Sequence, residues 1–169
     1  MQRTLVLIRH AKSSWSDPSE KDFDRPLNER GKKDAPLMGD ELKKRNILPD
    51  AIISSTAKRA RQTAKRIAKV VGFDVEQIQQ LDSLYLCEPS AFKEVITNLE
   101  STVKTVFIIA HNPGITEFAN QLSNQFRVDD MPTCAIIAAQ TSLKSWQEFN
   151  EGTMNVTLFE YPKQFYDNN

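Results

Sequence analysis

The chain has 169 residues, 40% hydrophobic and 26% charged, which suits a single globular domain, 1–169, with a substantial core. Its 22 basic and 22 acidic residues cancel, so no global basic field argues for nucleic acid as a partner. The apolar runs are far shorter than a membrane span, so no membrane partner is expected.

Met1-Gln2-Arg3 leads directly into an apolar run, an opening unlike a signal peptide. Cys87 and Cys134 are too few for a disulfide framework and lack zinc-ligand spacing, so they read as reduced, partly buried side chains. A cytoplasmic setting and a monomeric state are the matching expectations.

Leu5–Ile8 is an unbroken apolar run, short enough for a strand buried on both faces, and it stops abruptly at Arg9-His10. Lys12, Ser13, Ser14 and Trp15 follow, and Ser16–Arg25 is a polar, acidic loop. Arg30–Arg45 carries Ala35, Met38 and Leu42 at helical spacing, with Pro36 best placed near the helix start or at a kink. Ala51-Ile52-Ile53 is a short second strand, and Ser54-Ser55-Thr56 offers cap hydroxyls to a helix from Ala57 to about Val71, ended by Gly72.

Val75–Leu81 is a short extended segment, Asp82–Pro89 a loop, and Ala91–Leu99 a helix capped by Ser90. Val106–Ala110 is a second clean apolar strand ending in His111, with Asn112 as N-cap and Pro113 as first residue of the next helix. Ala135–Ala139 and Met154–Tyr161 are two further strands with no clear helix between them. The alternation predicts an α/β three-layer sandwich: a mainly parallel sheet, helices on both faces, and an antiparallel strand near the C-terminus.

Chemistry concentrates at strand ends. The chain has two histidines, His10 and His111, each immediately or nearly so after an apolar strand, at the end where α/β sheets hold ligands. The pair lacks the further ligands of a metal site, so a nucleophile or an acid/base pair fits better. Lys58, Arg59 and Arg61 fall in the first turn or so of a helix, where the dipole disfavours cations unless an anion sits nearby. Arg59 is taken as the anion ligand, and Lys58 and Arg61 as side chains extended into water. Arg9, His10, Arg59 and His111 together would make a cationic, donor-rich pocket suited to a phosphoryl group, needing no metal or other cofactor.

R-H-A-K at 9–12, R-P-L-N-E-R-G at 25–31, S-x-x-x-x-R-A-x-x-T-A at 54–64 and A-H-N-P-G at 110–114 resemble the histidine phosphatase superfamily, with its phosphoglycerate mutase-like fold. Within it the chain is similar to the small phosphohistidine phosphatases of the SixA type; P-T-C-A at 132–135 and the C-terminal strand pair extend the likeness over nearly the whole chain. The resemblance implies that His10 is the nucleophile, that Arg9 and Arg59 clamp the phosphoryl oxygens, and that His111 donates to the same group. It also implies a phosphorylated protein, bearing phosphohistidine, as the partner. On the same resemblance, Ser13 or Ser14 is expected to add a substrate hydrogen bond. Arg25 and Asn28 support the site, or else serve as an ion-pair partner of the Asp22/Asp24 loop and as a helix cap.

Two departures from the family pattern stand out. Ala11 replaces a glycine, which is tolerable if the backbone there avoids positive φ. No clear acid follows the second helix, where only Asp82 and Glu88 are available to protonate a leaving group. Imidazole departs from a phosphoramidate without strong help, whereas an alkyl phosphate leans on such an acid by ~10²–10⁴-fold. The chain also lacks an insertion large enough to enclose a small metabolite, which favours phosphate carried on a protein surface.

Other phosphatase classes are excluded by spacing. Lys93 and Gln140 stand where Cys87 and Cys134 would need the arginine of Cys-x₅-Arg, and Asp22-Phe23-Asp24 lacks the preceding strand of an aspartate nucleophile and reads as loop acidity. A phosphomonoesterase acting on a small phosphate ester and a non-catalytic phosphoprotein-binding module remain as alternatives.

Overall fold

Leu5–Ile8 lie at the centre of a seven-residue strand, β1 (Arg3–Arg9), and all four are fully buried. Alternation sends Leu5 and Leu7 into one apolar cluster and Val6 and Ile8 into another, so the strand is covered on both faces, as its continuous apolar run requires. The computed structural model describes residues 2–166; residue 1 and residues 167–169, which the expected 1–169 domain includes, lie outside the described residues.

Five further strands, β2 (Ala51–Ser55), β3 (Gln79–Leu81), β4 (Thr105–Ala110), β5 (Ile136–Thr141) and β6 (Asn155–Glu160), join β1 in one sheet of order β3-β2-β4-β1-β5-β6. β3, β2, β4 and β1 are parallel, while β5 pairs antiparallel with both β1 and β6 and so runs against all the others. A 3₁₀ turn, Trp146–Glu148, is the only helical piece between β5 and β6, and an antiparallel pair needs no longer crossover. The expected three-layer α/β architecture with one antiparallel strand is therefore the one observed.

Helices α1 (Glu29–Lys44) and α2 (Lys58–Val71) cover one face. Their stripes of Ala35, Met38 and Leu42, and of Ala60, Ala64 and Ile67, pack on Val6 and Ile8. Helices α3 (Pro89–Thr97) and α4 (Gly114–Ala119) cover the other face, where Phe92, Ile96 and Phe118 meet Leu5 and Leu7. A last short helix, α5, spans Lys163–Tyr166. Among the described residues no helix is long and apolar enough to cross a membrane.

The chain leaves β1 toward α1 on one face and leaves the adjacent β4 toward α4 on the other. Such a divergence opens a crevice at the strand C-termini. Parallel register pairs Arg9 with Ala110, so the next residues on the two strands, His10 and His111, emerge side by side.

Several local expectations shift by a turn or less. Ser54 and Ser55 belong to β2, and α2 starts at Lys58 behind Ala57, with no side-chain cap; Gly72 ends it in the left-handed conformation as expected. α3 starts at Pro89 behind Glu88, so Ser90 lies inside the helix instead of capping it. α4 starts at Gly114, leaving Asn112 outside as a brace that donates to Asp130 and Met131 and accepts from Thr116. Residues 75–81 divide into a 3₁₀ turn, Val75–Gln77, and β3. Pro36 sits in the interior of α1, not near its start.

Candidate active site

Arg9, His10, Ser13, Arg59 and His111 line one open cleft of ≈ 390 Å³ at the C-terminal ends of β1 and β4. The His10 and His111 rings stand 5.1 Å apart, centroid to centroid, and both are nearly fully buried.

His10 is held in one tautomer. Its Nδ1 lies 2.8 Å from the carbonyl oxygen of Ala11, which can only accept, so Nδ1 carries the proton and Nε2 the lone pair. The Arg59 Nε–H points at that lone pair from 3.3 Å. The backbone behind the ring is pinned by α2: Thr63 Oγ1 accepts from the Ala11 N–H at 3.0 Å and donates to the Arg59 carbonyl at 2.8 Å. The R-A-x-x-T spacing therefore puts two functional side chains one helical turn apart, one on the ring and one on its backbone. Ala11 is absent from the positive-φ positions, so nothing here requires the family's glycine.

His111 is set by β2. Its Nε2 lies 2.7 Å from Ser55 Oγ, and that oxygen also accepts the Ala57 N–H at 3.3 Å. With one lone pair occupied, the Ser55 hydroxyl is suited to donate to Nε2, which leaves the His111 proton on Nδ1. His111 Nδ1 and Arg9 Nε are both buried without a hydrogen-bond partner. Orphaned buried donors are rare, and two in one cleft mark a place prepared for an acceptor-rich ligand.

The charges fit an anion. Burial, reinforced by His111, Arg59 and Arg9, holds the His10 pKa well below the usual imidazole range despite the Ala11 hydrogen bond. Burial and then Arg59 push His111 down to about 3, with Asp22 opposing and Arg9 and Arg25 adding to the fall. Both rings are therefore neutral at pH 7, and the arginines carry the positive charge. Arg9, itself lowered by burial, donates Nη1 to the Met131 carbonyl at 2.7 Å.

Asp22 was expected to be loop acidity, and it stands in the cleft instead. Its Oδ1 accepts from Arg25 Nε and Nη2 at 3.2 and 3.1 Å, and its Oδ2 accepts from Arg59 Nη2 at 3.1 Å and from the Tyr85 hydroxyl at 2.5 Å. Its carbonyl takes Arg59 Nη1 at 2.7 Å. Burial works against ionisation, but Tyr85, Arg59 and Arg25 outweigh it and hold the carboxyl at about 2. A carboxylate has about four acceptor positions, and here four donors fill them. Arg59 keeps two of its five N–H groups uncommitted.

The remaining candidates separate cleanly. Arg25 takes both suggested roles, pairing with Asp22 and donating Nη1 to Ser13 Oγ at 2.6 Å, so Ser13 holds Arg25 as well as lining the cleft. Asn28 is a helix cap, accepting from Gly31 N at 2.9 Å. Asp82 binds Thr56 Oγ1 at 2.6 Å, Glu88 precedes α3, and neither lines the cleft. Lys58 and Arg61 also stay outside it; Arg61 Nε folds back on the Thr56 carbonyl at 2.8 Å. Among the described residues no cluster of three or more His, Cys, Asp or Glu is arranged to hold a metal ion.

Sequence reasoning missed Asp22, Tyr85 and Ser55. Thr63 lay in a recognised motif without an assigned task. For Asp22 the available signal was its place three residues before Arg25.

The family model for the histidine phosphatase superfamily (branch 1) matches residues 5–88, which contain Arg9, His10 and Arg59. The chain belongs to the histidine phosphatase superfamily. An uncharacterized chloroplastic protein of Arabidopsis thaliana is 34% identical over 88% of this chain and 71% of its own length. A structure from Agrobacterium tumefaciens, assigned to the phosphohistidine phosphatase SixA, superposes with a TM-score of 0.79 at 27% identity, covering 95% of this chain and 98% of that one. The protein histidine phosphatase SixA complexed with tungstate shares the fold, with a TM-score of 0.81 at 20% identity over 97% of this chain and 99% of that one. The chain is thus a histidine phosphatase superfamily member of the SixA type, and superfamily membership makes it a phosphatase that works through histidine.

Proposed function

We propose that this histidine phosphatase removes the phosphoryl group from phosphohistidine carried on a protein, through a phosphohistidine intermediate on His10 and without a metal ion. The observation that carries the substrate reading is Asp22, the carboxylate lining the cleft. Held at about 2 and saturated by donors, it has no proton to give to a leaving alkoxide at neutral pH. Imidazole needs none: with its distal nitrogen already protonated, phosphohistidine departs as neutral imidazole.

In the first step the Nε2 lone pair of His10 attacks phosphorus, the P–N bond of the substrate breaks, and its electron pair stays on the departing imidazole. Arg9, the free N–H groups of Arg59 and the Nδ1–H of His111 receive the charge on the transferring oxygens, the role that oriented cationic donors play in phosphoryl transfer. In the second step water attacks the phosphohistidine. The bond to Nε2 breaks with its electrons returning to His10, and the water proton leaves with phosphate. Asp22 takes no proton in either step; it keeps Arg59, Arg25 and Tyr85 in place.

Initial rates on a histidine-phosphorylated protein and on a panel of sugar and acyl phosphates test the substrate. A wide preference for any ester would overturn the phosphohistidine reading in favour of a small-molecule phosphomonoesterase. His10→Ala should abolish turnover while tungstate still binds; normal hydrolysis of para-nitrophenyl phosphate by that variant would remove His10 as nucleophile.

A further inference from the structure

Two of the four large apolar side chains exposed among the described residues, Trp15 at 75% and Leu86 at 55%, line the cleft that holds the two histidines. They come from different loops, one after β1 and one before α3. Exposed apolar groups scattered singly need no explanation, but a pair at the mouth of a polar pocket does.

The Trp15 side chain is held in place. The Arg25 guanidinium stacks on the Trp15 ring, its Cζ 3.5 Å from the centroid, and Arg25 is itself held by Ser13 and Asp22. The Trp15 loop is tied down by the Ser13–Leu27 bridge and by the Ser14 N–H donating to the Pro26 carbonyl at 2.8 Å. Leu86 sits at φ 49°, a left-handed conformation that leucine seldom adopts, and its side chain gains no core packing in return. Strain without packing reward gathers where a surface binds something.

We infer that Trp15 and Leu86 form an apolar rim that grips the protein surface around the phosphohistidine, so that they set specificity for a protein-borne phosphoryl group over a free one. The inference rests on the phosphohistidine reading of the pocket. The occupant follows from continuity with that pocket: a phosphoryl group lodged among Arg9, Arg59 and His111 brings its carrier against the rim. Free phosphohistidine has no such neighbouring surface to offer. The carrier is a protein with apolar side chains beside its phosphohistidine. A held aromatic ring suits such a contact because little conformational freedom is lost when it is covered.

Trp15→Ala and Leu86→Gly test the rim, measured as kcat/KM on a histidine-phosphorylated protein and on free phosphohistidine. Trp15 is mostly exposed and glycine is at ease at positive φ, so both variants should fold. On the protein substrate Trp15→Ala should lose roughly 30-fold, the effect of an interface tryptophan, and Leu86→Gly roughly tenfold. On free phosphohistidine both should lose several-fold less than on the protein substrate. Equal losses on both substrates, or no loss on the protein, would overturn the rim while leaving the phosphohistidine reading intact. If the unaltered enzyme hydrolyses neither phosphohistidine substrate, both inferences fall together.

Discussion

Acid should weaken this fold through its histidines, and His111 sets the scale. Burial and the neighbouring arginines take its pKa from 6.5 to about 3 against the pull of Asp22, whereas the unfolded chain titrates near the ordinary value. Between those limits the unfolded state binds a proton that the folded state refuses. The contribution of His111 is therefore complete above pH 6.5 and is lost as pH falls toward 3. At pH 4.5 about two pH units of that interval have been crossed, and at ~1.36 kcal/mol per unit the loss is roughly 3 kcal/mol. His10, also pushed down by burial, acts in the same direction. Asp34 and Glu160, whose carboxyls burial raises, act in the opposite one. The comparison with His111→Gln isolates the single ring. Urea unfolding followed by fluorescence of the buried Trp146 at pH 7 and pH 4.5 should show the unaltered protein losing roughly 3 kcal/mol more than the variant. Equal losses would mean that His111 is not kept neutral by the fold, and the assignment of its proton to one nitrogen would go with it.

Asp22→Ala distinguishes a brace from a proton donor. As a brace it should lower kcat/KM by roughly tenfold on phosphohistidine and ester substrates alike, the effect of one lost charge-assisted hydrogen bond to Arg59. A loss of ~10²–10⁴-fold confined to esters would identify a general acid instead. Gly114→Ala should destabilise the protein by ~2–3 kcal/mol in urea unfolding, because the new Cβ would stand 2.1 Å from the Cys87 carbonyl oxygen. An unchanged midpoint would show that the backbone there yields freely.

Much of the fold was legible because its signals are local. Apolar runs such as Leu5–Ile8 and Val106–Ala110 can only be buried strands, and the stripe of Ala35, Met38 and Leu42 suits only a helix lying on them. Helix starts were less legible: a serine hydroxyl reads as a cap whether it serves its own helix or, like Ser55, a histidine on a neighbouring strand. Among the site residues, the two histidines were visible because they end apolar strands, and Arg59 because it opposes a helix dipole. Asp22 was not, since its one local mark, an arginine three residues on, fits an ordinary loop ion pair equally well.

The sequence by itself determined the α/β class, the strand ends that carry His10 and His111, and a cationic pocket between them. These follow from short-range pattern, in which burial and periodicity leave little choice. Tertiary structure decided what each side chain does there. Only the register of β1 against β4 sets the two rings 5.1 Å apart. Only the docking of α2 gives Thr63 and Arg59 their hold on His10. Only the fold of the loop after β1 brings Asp22 to Arg59 and Tyr85. Proton position and ion pairing depend on distances of a few ångströms between residues far apart in the chain, and no local pattern encodes those distances.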